Sequence, residues 1–185
     1  MKILAIVGSK RRGNTYAMVE AGCHALKDSE VELLHLKDLN ILSCDGCLQC
    51  DDTGKCHIED DMSNIINRIA NADGFIFGTP ARWSLLSGEL KTFFDRLNPL
   101  AMPEKLSNKK AIIFSVGQTE GKEAESIKLS AESVKYFCEN AGIEVVDVVL
   151  AEGCSNSEDL ISKLPNILDV CKKSAMKLQN SLLSG

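Results

Sequence analysis

No stretch of eighteen apolar residues occurs in the 185-residue chain, which excludes a membrane-spanning helix. A signal-peptide core is missing too: the first residues run straight into a strand-like apolar pattern, so a cytoplasmic protein is expected. Positive charge is scarce. Lys and Arg total 21 against 26 Asp and Glu, the formal net charge is −5 and the pI is near 5.3. That balance lacks the electrostatic footprint of a nucleic-acid partner or an anionic membrane partner. Repeats, low-complexity tracts and linkers are absent, and 44% of residues are hydrophobic. Residues 1–185 are therefore read as one domain with material for a sizeable core.

What is present concentrates at the beginning. Lys2-Ile3-Leu4-Ala5-Ile6-Val7 is an apolar run that suits a strand buried on both faces. Gly8-Ser9-Lys10-Arg11-Arg12-Gly13-Asn14-Thr15 follows, and then a helical pattern that places Tyr16, Val19, Cys23 and Leu26 on one face. Strand, polar glycine loop and helix together present backbone N–H groups and a helix N-terminus to an anion. Ser9, Asn14 and Thr15 add neutral donors, and Arg11 and Arg12 add charge. The loop is neither G-x-G-x-x-G nor G-x-x-x-x-G-K-[ST], which argues against a dinucleotide fingerprint and a P-loop NTPase. Its hydroxyls and amides suit a terminal phosphate monoester instead. A small anionic ligand is expected here rather than a polymer.

Strand and helix patterns alternate to the end. Further strands are expected near residues 30–36, 73–78, 111–117 and 143–150. Helices carry Met62, Ile65, Ile66 and Ile69, then Leu90, Phe93, Phe94 and Leu97, then Ile127, Ala131, Val134, Phe137 and Cys138. The last helical pattern runs through Leu164, Ile167, Leu168, Cys171, Ala175 and Leu178, with Pro165 starting or kinking it. Five strands alternating with helices predict an open parallel α/β sheet, a three-layer sandwich. Right-handed crossovers put residues 8–15, 78–86 and 116–121 on one side, at the carboxyl ends of the strands where ligands bind. The flavodoxin-like order 2-1-3-4-5 fits, and FMN is the usual ligand of that fold.

The loop after the third strand, Gly78-Thr79-Pro80-Ala81-Arg82-Trp83-Ser84, offers backbone groups for the polar edge of a flat heteroaromatic. Its Trp83, the one tryptophan, can wall such a ring or fold into the core. Together with residues 8–15 and with Leu90-Lys91-Thr92-Phe93-Phe94-Asp95-Arg96, this loop resembles the NADPH-dependent FMN reductase family. The family pattern is G-S-x-R with a downstream N-T, a [ST]-P-x-Y-type loop and an L-K-x-F-x-D-R helix. The resemblance implies that Ser9, Arg11, Arg12, Gly13, Asn14 and Thr15 hold the FMN phosphate. It also implies that Thr79, Pro80, Ala81, Arg82 and Trp83 lie along the isoalloxazine. Arg82 stands where an aromatic residue is frequent, which leaves Trp83 as the aromatic group of this loop. Ser115 and Gly117, in the segment 115–121, complete the ring site, with Gln118 and Glu120 as further candidates. Lys91, Asp95 and Arg96 are read as structural, the Asp/Arg pair as a solvated or subunit-contact pair. The resemblance further implies a homodimer or homotetramer and NAD(P)H as an electron source.

Eight cysteines in a reducing compartment are not expected to form structural disulfides. Four lie in a loop at residues 40–58: Cys44, Cys47, Cys50 and Cys56 spell C-x2-C-x2-C-x5-C. Three at x2 spacing can take three corners of a cubane, and the turn sequence Asp51-Asp52-Thr53-Gly54 can return Cys56 to the same cluster. Zinc, or a loop that binds no metal, are the alternatives. The spacing resembles the iron–sulfur flavoprotein subgroup, in which four thiolates bind a [4Fe–4S] cluster beside FMN. Cys23, Cys138 and Cys171 are expected in the core, Cys154 is unassigned, and His57 is expected in solvent. No nucleophile or acid–base pair is needed where a cofactor carries the chemistry. The expectation is an FMN-dependent redox protein that passes electrons between a cluster and FMN, with a ferredoxin-like donor or NAD(P)H. A cluster-free NAD(P)H-dependent FMN or quinone reductase and a non-catalytic flavodoxin-like carrier are the alternatives.

Overall fold

A computed structural model describes residues 1–101 and 104–184. Five parallel strands, β1 (Lys2–Val7), β2 (Glu30–His35), β3 (Gly74–Pro80), β4 (Lys110–Val116) and β5 (Glu144–Ala151), form one sheet in the order 2-1-3-4-5. That is the flavodoxin-like order anticipated from the alternating apolar runs. The described helices are α1 (Asn14–Ala25), α2 (Gln49–Thr53), α3 (Met62–Ala70), α4 (Gly88–Asp95), α5 (Asn98–Ala101), α6 (Glu125–Asn140), α7 (Asp159–Lys163) and α8 (Ile167–Leu183). None of them is long and apolar enough to cross a membrane.

Strand pleating splits the core into two layers. Ile3, Ala5 and Val7 of β1 face the side covered by α1 and α8, where they meet Met18, Val19, Cys171, Ala175 and Leu178. Leu4 and Ile6 face the side covered by α3, α4 and α6, against Met62, Ile65, Phe93, Phe94 and Val134. Both faces of the sheet are buried, which is why its strands read as continuous apolar runs rather than as alternating ones.

Three local expectations change. The buried face of α1 runs through Thr15, Met18, Val19 and Gly22, while Tyr16 and Cys23 are half-buried beside it. Small residues let the helix come close to the sheet: a Cβ on Gly22 would lie 3.2 Å from Phe114 Cε2. The last helical pattern, read from Leu164, begins as α8 only at Ile167, after Pro165, and a separate short helix, α7, precedes it and ends before Leu164, because the residue before proline resists the helical region. The cysteine loop contains one short helix, α2, closed by Gly54 in the left-handed region (φ 65°).

Candidate functional site

The carboxyl ends of β1, β3, β4 and β5 are stitched side by side. Gly8 N–H donates to Gly78 O (2.8 Å), Ala81 N–H to Val116 O (2.8 Å), and Cys154 N–H to Gly117 O (2.8 Å). These bonds continue the sheet by one residue per strand and splay the following loops around a cavity of about 420 Å³. The β1–α1 loop contributes Ser9, Arg11, Gly13, Asn14 and Thr15, and the β3–α4 loop contributes Pro80, Ala81, Arg82 and Trp83. Gly117 and Gln118 line it from the end of β4. Most residues singled out in the sequence therefore share one cavity.

Three do not. Thr79 is fully buried, and its hydroxyl accepts the Ser87 N–H (3.0 Å), which fixes the start of α4. Ser115 is buried with its hydroxyl on Ile127 O (3.1 Å). Arg12 turns outward, 2.8 Å from Asp38 Oδ2 and 5.4 Å above the Tyr16 ring. That hydrogen bond holds the Asp38 carboxyl below its ordinary value.

Among the described residues, the lining holds two arginines, Arg11 and Arg82, and no carboxylate, in a chain that is acidic overall. Helix α1 begins at Asn14 with Gly13 as N-cap, no side-chain cap and no acidic residue in its first turn. Its leading N–H groups are thus left for a ligand, and the helix dipole favours an anion there. Ser9 shapes the loop from within: its hydroxyl donates to Arg11 O (2.7 Å) and accepts the Arg11 N–H (3.2 Å). Behind it, buried His35 donates from Nε2 to Ser9 O (2.6 Å) and packs on Tyr16 (ring centroids 5.4 Å apart). Asn14 Nδ2 donates to Asn156 O (2.7 Å), which leaves Asn14 Oδ1 buried without a donor. A ligand hydroxyl would satisfy that atom. The residues present therefore fit FMN, whose phosphate needs donors and positive charge and whose ribityl chain carries hydroxyls.

The β3–α4 loop turns in two residues. Arg82 and Leu85 exchange both backbone hydrogen bonds (2.9 and 3.0 Å), and Trp83 and Ser84 both sit at positive φ (49° and 63°). A hairpin of this kind normally uses Asn and Gly at those positions. Placing tryptophan and serine there stores strain on the order of 1–3 kcal/mol per residue. The result is a tryptophan 99% exposed at the rim of the cavity.

One wall was not legible in the sequence. Cys154, Ser155 and Ser157 follow β5 and line the cavity, joined by Thr119 and Ser126. Asp159 Oδ2 accepts the N–H groups of Ser155 (2.7 Å) and Asn156 (2.9 Å), and Lys163 lies 3.3 Å away. The Asn156 hydrogen bond is the largest influence holding the Asp159 carboxyl below its ordinary value, supported by Ser155 and Lys163 against the effect of burial. Burial pushes the Cys154 thiol up, and Asp159 adds to that.

The cysteine loop lies apart from this lining. Cys44 and Cys47 are exposed, Cys56 is partly so, and Cys50 is buried. Among the described residues, the trio of metal-capable side chains within 4.8 Å of one another is Asp45, Cys47 and His57. His57 Nε2 is 2.8 Å from Asp45 Oδ2, and the Cys47 N–H followed by His57 holds the Asp45 carboxyl below its ordinary value. The four free thiols of this one loop are a donor set that suits a cluster.

Comparison with known proteins accords with this geometry. The sequence profile of the NADPH-dependent FMN reductase family matches residues 1–147. An iron–sulfur flavoprotein of Methanocaldococcus jannaschii is 37% identical over 120 residues, covering 63% of this chain and 62% of that protein. An NAD(P)H-dependent FAD/FMN reductase of Geobacillus thermodenitrificans is 30% identical over 110 residues, 57% of this chain and 56% of its own. In both cases the match spans less than two thirds of the relative's length. The solved NAD(P)H:quinone oxidoreductase from Methanothermobacter marburgensis superposes with a TM-score of 0.75 at 17% identity, over 97% of each chain. That last likeness is one of fold.

Proposed function

Because this chain belongs to the NADPH-dependent FMN reductase family, we propose that residues 1–185 form one FMN-binding domain of an FMN-dependent oxidoreductase. The observation that carries this reading is the arginine-lined cavity, free of carboxylates, at the uncapped start of α1. In the proposed arrangement Arg11, Thr15 and the first-turn N–H groups of α1 hold the phosphate, Ser9 shapes the loop that cradles it, and Asn14 Oδ1 takes a ribityl hydroxyl. Pro80, Ala81, Arg82, Trp83 and Gly117 border the ring. Thr79 and Ser115 act from behind, by fixing the loops, and Arg12 acts through Tyr16 and His35. Bound FMN would accept two electrons and release them singly or in pairs. The chain's own residues supply binding, orientation and control of access.

Two electron sources are proposed: NAD(P)H at the open ring face, as in the name of the FAD/FMN reductase relative, or a ferredoxin-like donor through a [4Fe–4S] cluster on Cys44, Cys47, Cys50 and Cys56, for which the relatives' names supply only the words iron–sulfur. The cluster would supply one-electron transfer to and from the flavin. All eight cysteines are free, as suits a reducing cytoplasm. The exposed Trp83, Leu85 and Tyr136 support a homodimer or homotetramer, which sedimentation of the full chain checks. The second reading is a cluster-free NAD(P)H-dependent FMN or quinone reductase. It is favoured by relatives named as an NAD(P)H-dependent FAD/FMN reductase and an NAD(P)H dehydrogenase (quinone).

The test is anaerobic turnover of the purified chain with NAD(P)H and a quinone, with and without added FMN, alongside iron and sulfide analysis. FMN-dependent oxidation supports the oxidoreductase reading. Turnover without iron selects the second reading. No flavin reduction with any donor overturns both.

A further inference from the structure

Residues 90–96 and Asn98 contribute nothing to the cavity, and the sequence reading of Asp95 and Arg96 as one surface pair is corrected here. Asp95 pairs in solvent with Lys91 (2.6 Å). Arg96 is 1% exposed and points the other way, toward the base of the cysteine loop. Its Nη1 donates to Leu42 O (2.8 Å) and Asp60 Oδ2 (2.5 Å), and its Nη2 to Asp60 Oδ1 (3.0 Å) and Ile58 O (3.3 Å). Asp60 in turn accepts the Leu42 N–H (2.8 Å) and the Met62 N–H (3.0 Å). Leu42 precedes Cys44 by two residues, and Ile58 follows Cys56 by two. One buried ion pair therefore binds both feet of the loop that carries the four thiols.

Two donors remain directed at sulfur. Asn98 Nδ2 lies 3.1 Å from Cys50 Sγ and 2.7 Å from Asp51 Oδ1. Arg96 Nε is buried and lacks an acceptor. A buried N–H without an acceptor is costly, and Cys56 lines the same cavity of about 300 Å³. Burial opposes the charge of Arg96, but Asp60 and then Cys56 outweigh it and keep the guanidinium protonated.

We propose that Arg96 and Asn98 are positioning residues for the cysteine loop. Arg96 with Asp60 closes its base, and Arg96 and Asn98 donate hydrogen bonds to the sulfurs of Cys56 and Cys50 when the thiolates hold a metal. The inference rests on reading that loop as a thiolate metal site, and it adds the non-ligand groups that would order and tune it. Hydrogen bonds to a ligating sulfur withdraw electron density, raising the energy of sulfur-to-metal charge transfer and the potential of a redox centre.

The experiment uses the reduced, metal-free full chain, with Co2+ as the metal probe and the variants Arg96→Lys and Asn98→Ala. Amide exchange is followed without metal, and the charge-transfer band with it. Arg96→Lys is expected to speed exchange across residues 42–60 at least tenfold while β1 and β3 stay protected. Asn98→Ala is expected to leave exchange unchanged, bind the same amount of Co2+, and shift the band to longer wavelength. A purely structural asparagine would not move that band. Loop exchange at the wild-type rate in Arg96→Lys overturns the clamp. If that variant unfolds globally, Asp60→Asn decides the same point by the same readout. An unmoved band in Asn98→Ala, or a wild-type chain that binds no Co2+, overturns the sulfur assignment. Iron and sulfide loading is measured separately: uptake of Co2+ without a cluster refutes the iron–sulfur reading and leaves this inference standing.

Discussion

Gly78 couples the sheet to the start of α1, which borders the cavity. It sits in the central strand, paired with Val7 on one side and Phe114 on the other, and its carbonyl accepts the Gly8 N–H. A Cβ at this position would collide with Val19 Cγ2 and lie 3.1 Å from Thr15 Cγ2, both on the buried face of α1. Neither the sheet nor the β-branched side chains can yield easily, because β1, β3 and β4 fix the strand and χ1 of Val and Thr is stiff. Gly78→Ala must therefore push the start of α1 away from the sheet. Overpacking of this kind costs about 1–3 kcal/mol. For a chain of this size that is a fall in melting temperature of roughly 2–12 °C, at about 2–4 °C per kcal/mol. The same displacement moves the uncapped first turn of α1, so FMN affinity should fall at least tenfold. Gly88→Ala is the control: its Cβ would meet nothing within 4 Å, and it lies in the first turn of α4. That change should be neutral or stabilising by about 0.4–1 kcal/mol, through the unfolded chain, with FMN affinity unchanged. Chemical denaturation and flavin-fluorescence titration measure both quantities. Gly78→Ala with wild-type stability and wild-type FMN affinity would refute the helix–sheet reasoning.

Three further outcomes follow from the same structure. Arg96→Met leaves the Asp60 carboxylate buried without its cation and should cost about 3–5 kcal/mol, read by urea midpoint. A loss below about 1 kcal/mol would mean that water reaches the pair. Asp159 has a folded-state value depressed below the ordinary 3.8, first by the Asn156 N–H. Its contribution to stability is thus present above that ordinary value and lost as pH falls through the depressed one. The stability gap between wild type and Asp159→Asn should be constant near neutrality and close on acidification below 3.8. A gap that does not change with pH contradicts the hydrogen-bonded carboxylate. Asn14→Ala removes the bond to Asn156 and should weaken FMN binding by about 1 kcal/mol while leaving the melting temperature of the flavin-free chain within a few degrees.

The sheet order and most of the cavity were legible because their signals are local. A strand buried on both faces writes itself as an apolar run, and a phosphate-type loop as glycine with short polar groups in one short stretch. The post-β5 wall carries no such signal. Cys154 is unassigned in the sequence and Ser155 and Ser157 match no motif, since their place is set by the bond from Asn14 to Asn156, across almost the whole chain. Arg96 misled for the same reason. Its helix pattern suggests solvent, and only Asp60 on a distant segment makes its burial possible. Thr15 and Gly22 are weakly apolar, so a hydrophobicity pattern places the inner face of α1 on Tyr16 and Cys23, whereas close approach to the sheet selects the smaller side chains. The strained turn at Trp83 and Ser84 likewise lacks the Asn-Gly pair that would have announced it.

The central claim is that the cavity at the start of α1 grips the phosphate end of FMN. Equilibrium titration of the flavin-free chain with FMN, with riboflavin in parallel, tests it most directly. The account predicts one FMN per chain at micromolar or tighter affinity, riboflavin at least a hundredfold weaker, and a loss of that preference in Arg11→Ala. Equal binding of the two flavins, or no FMN bound by the folded chain at micromolar concentration, would contradict it.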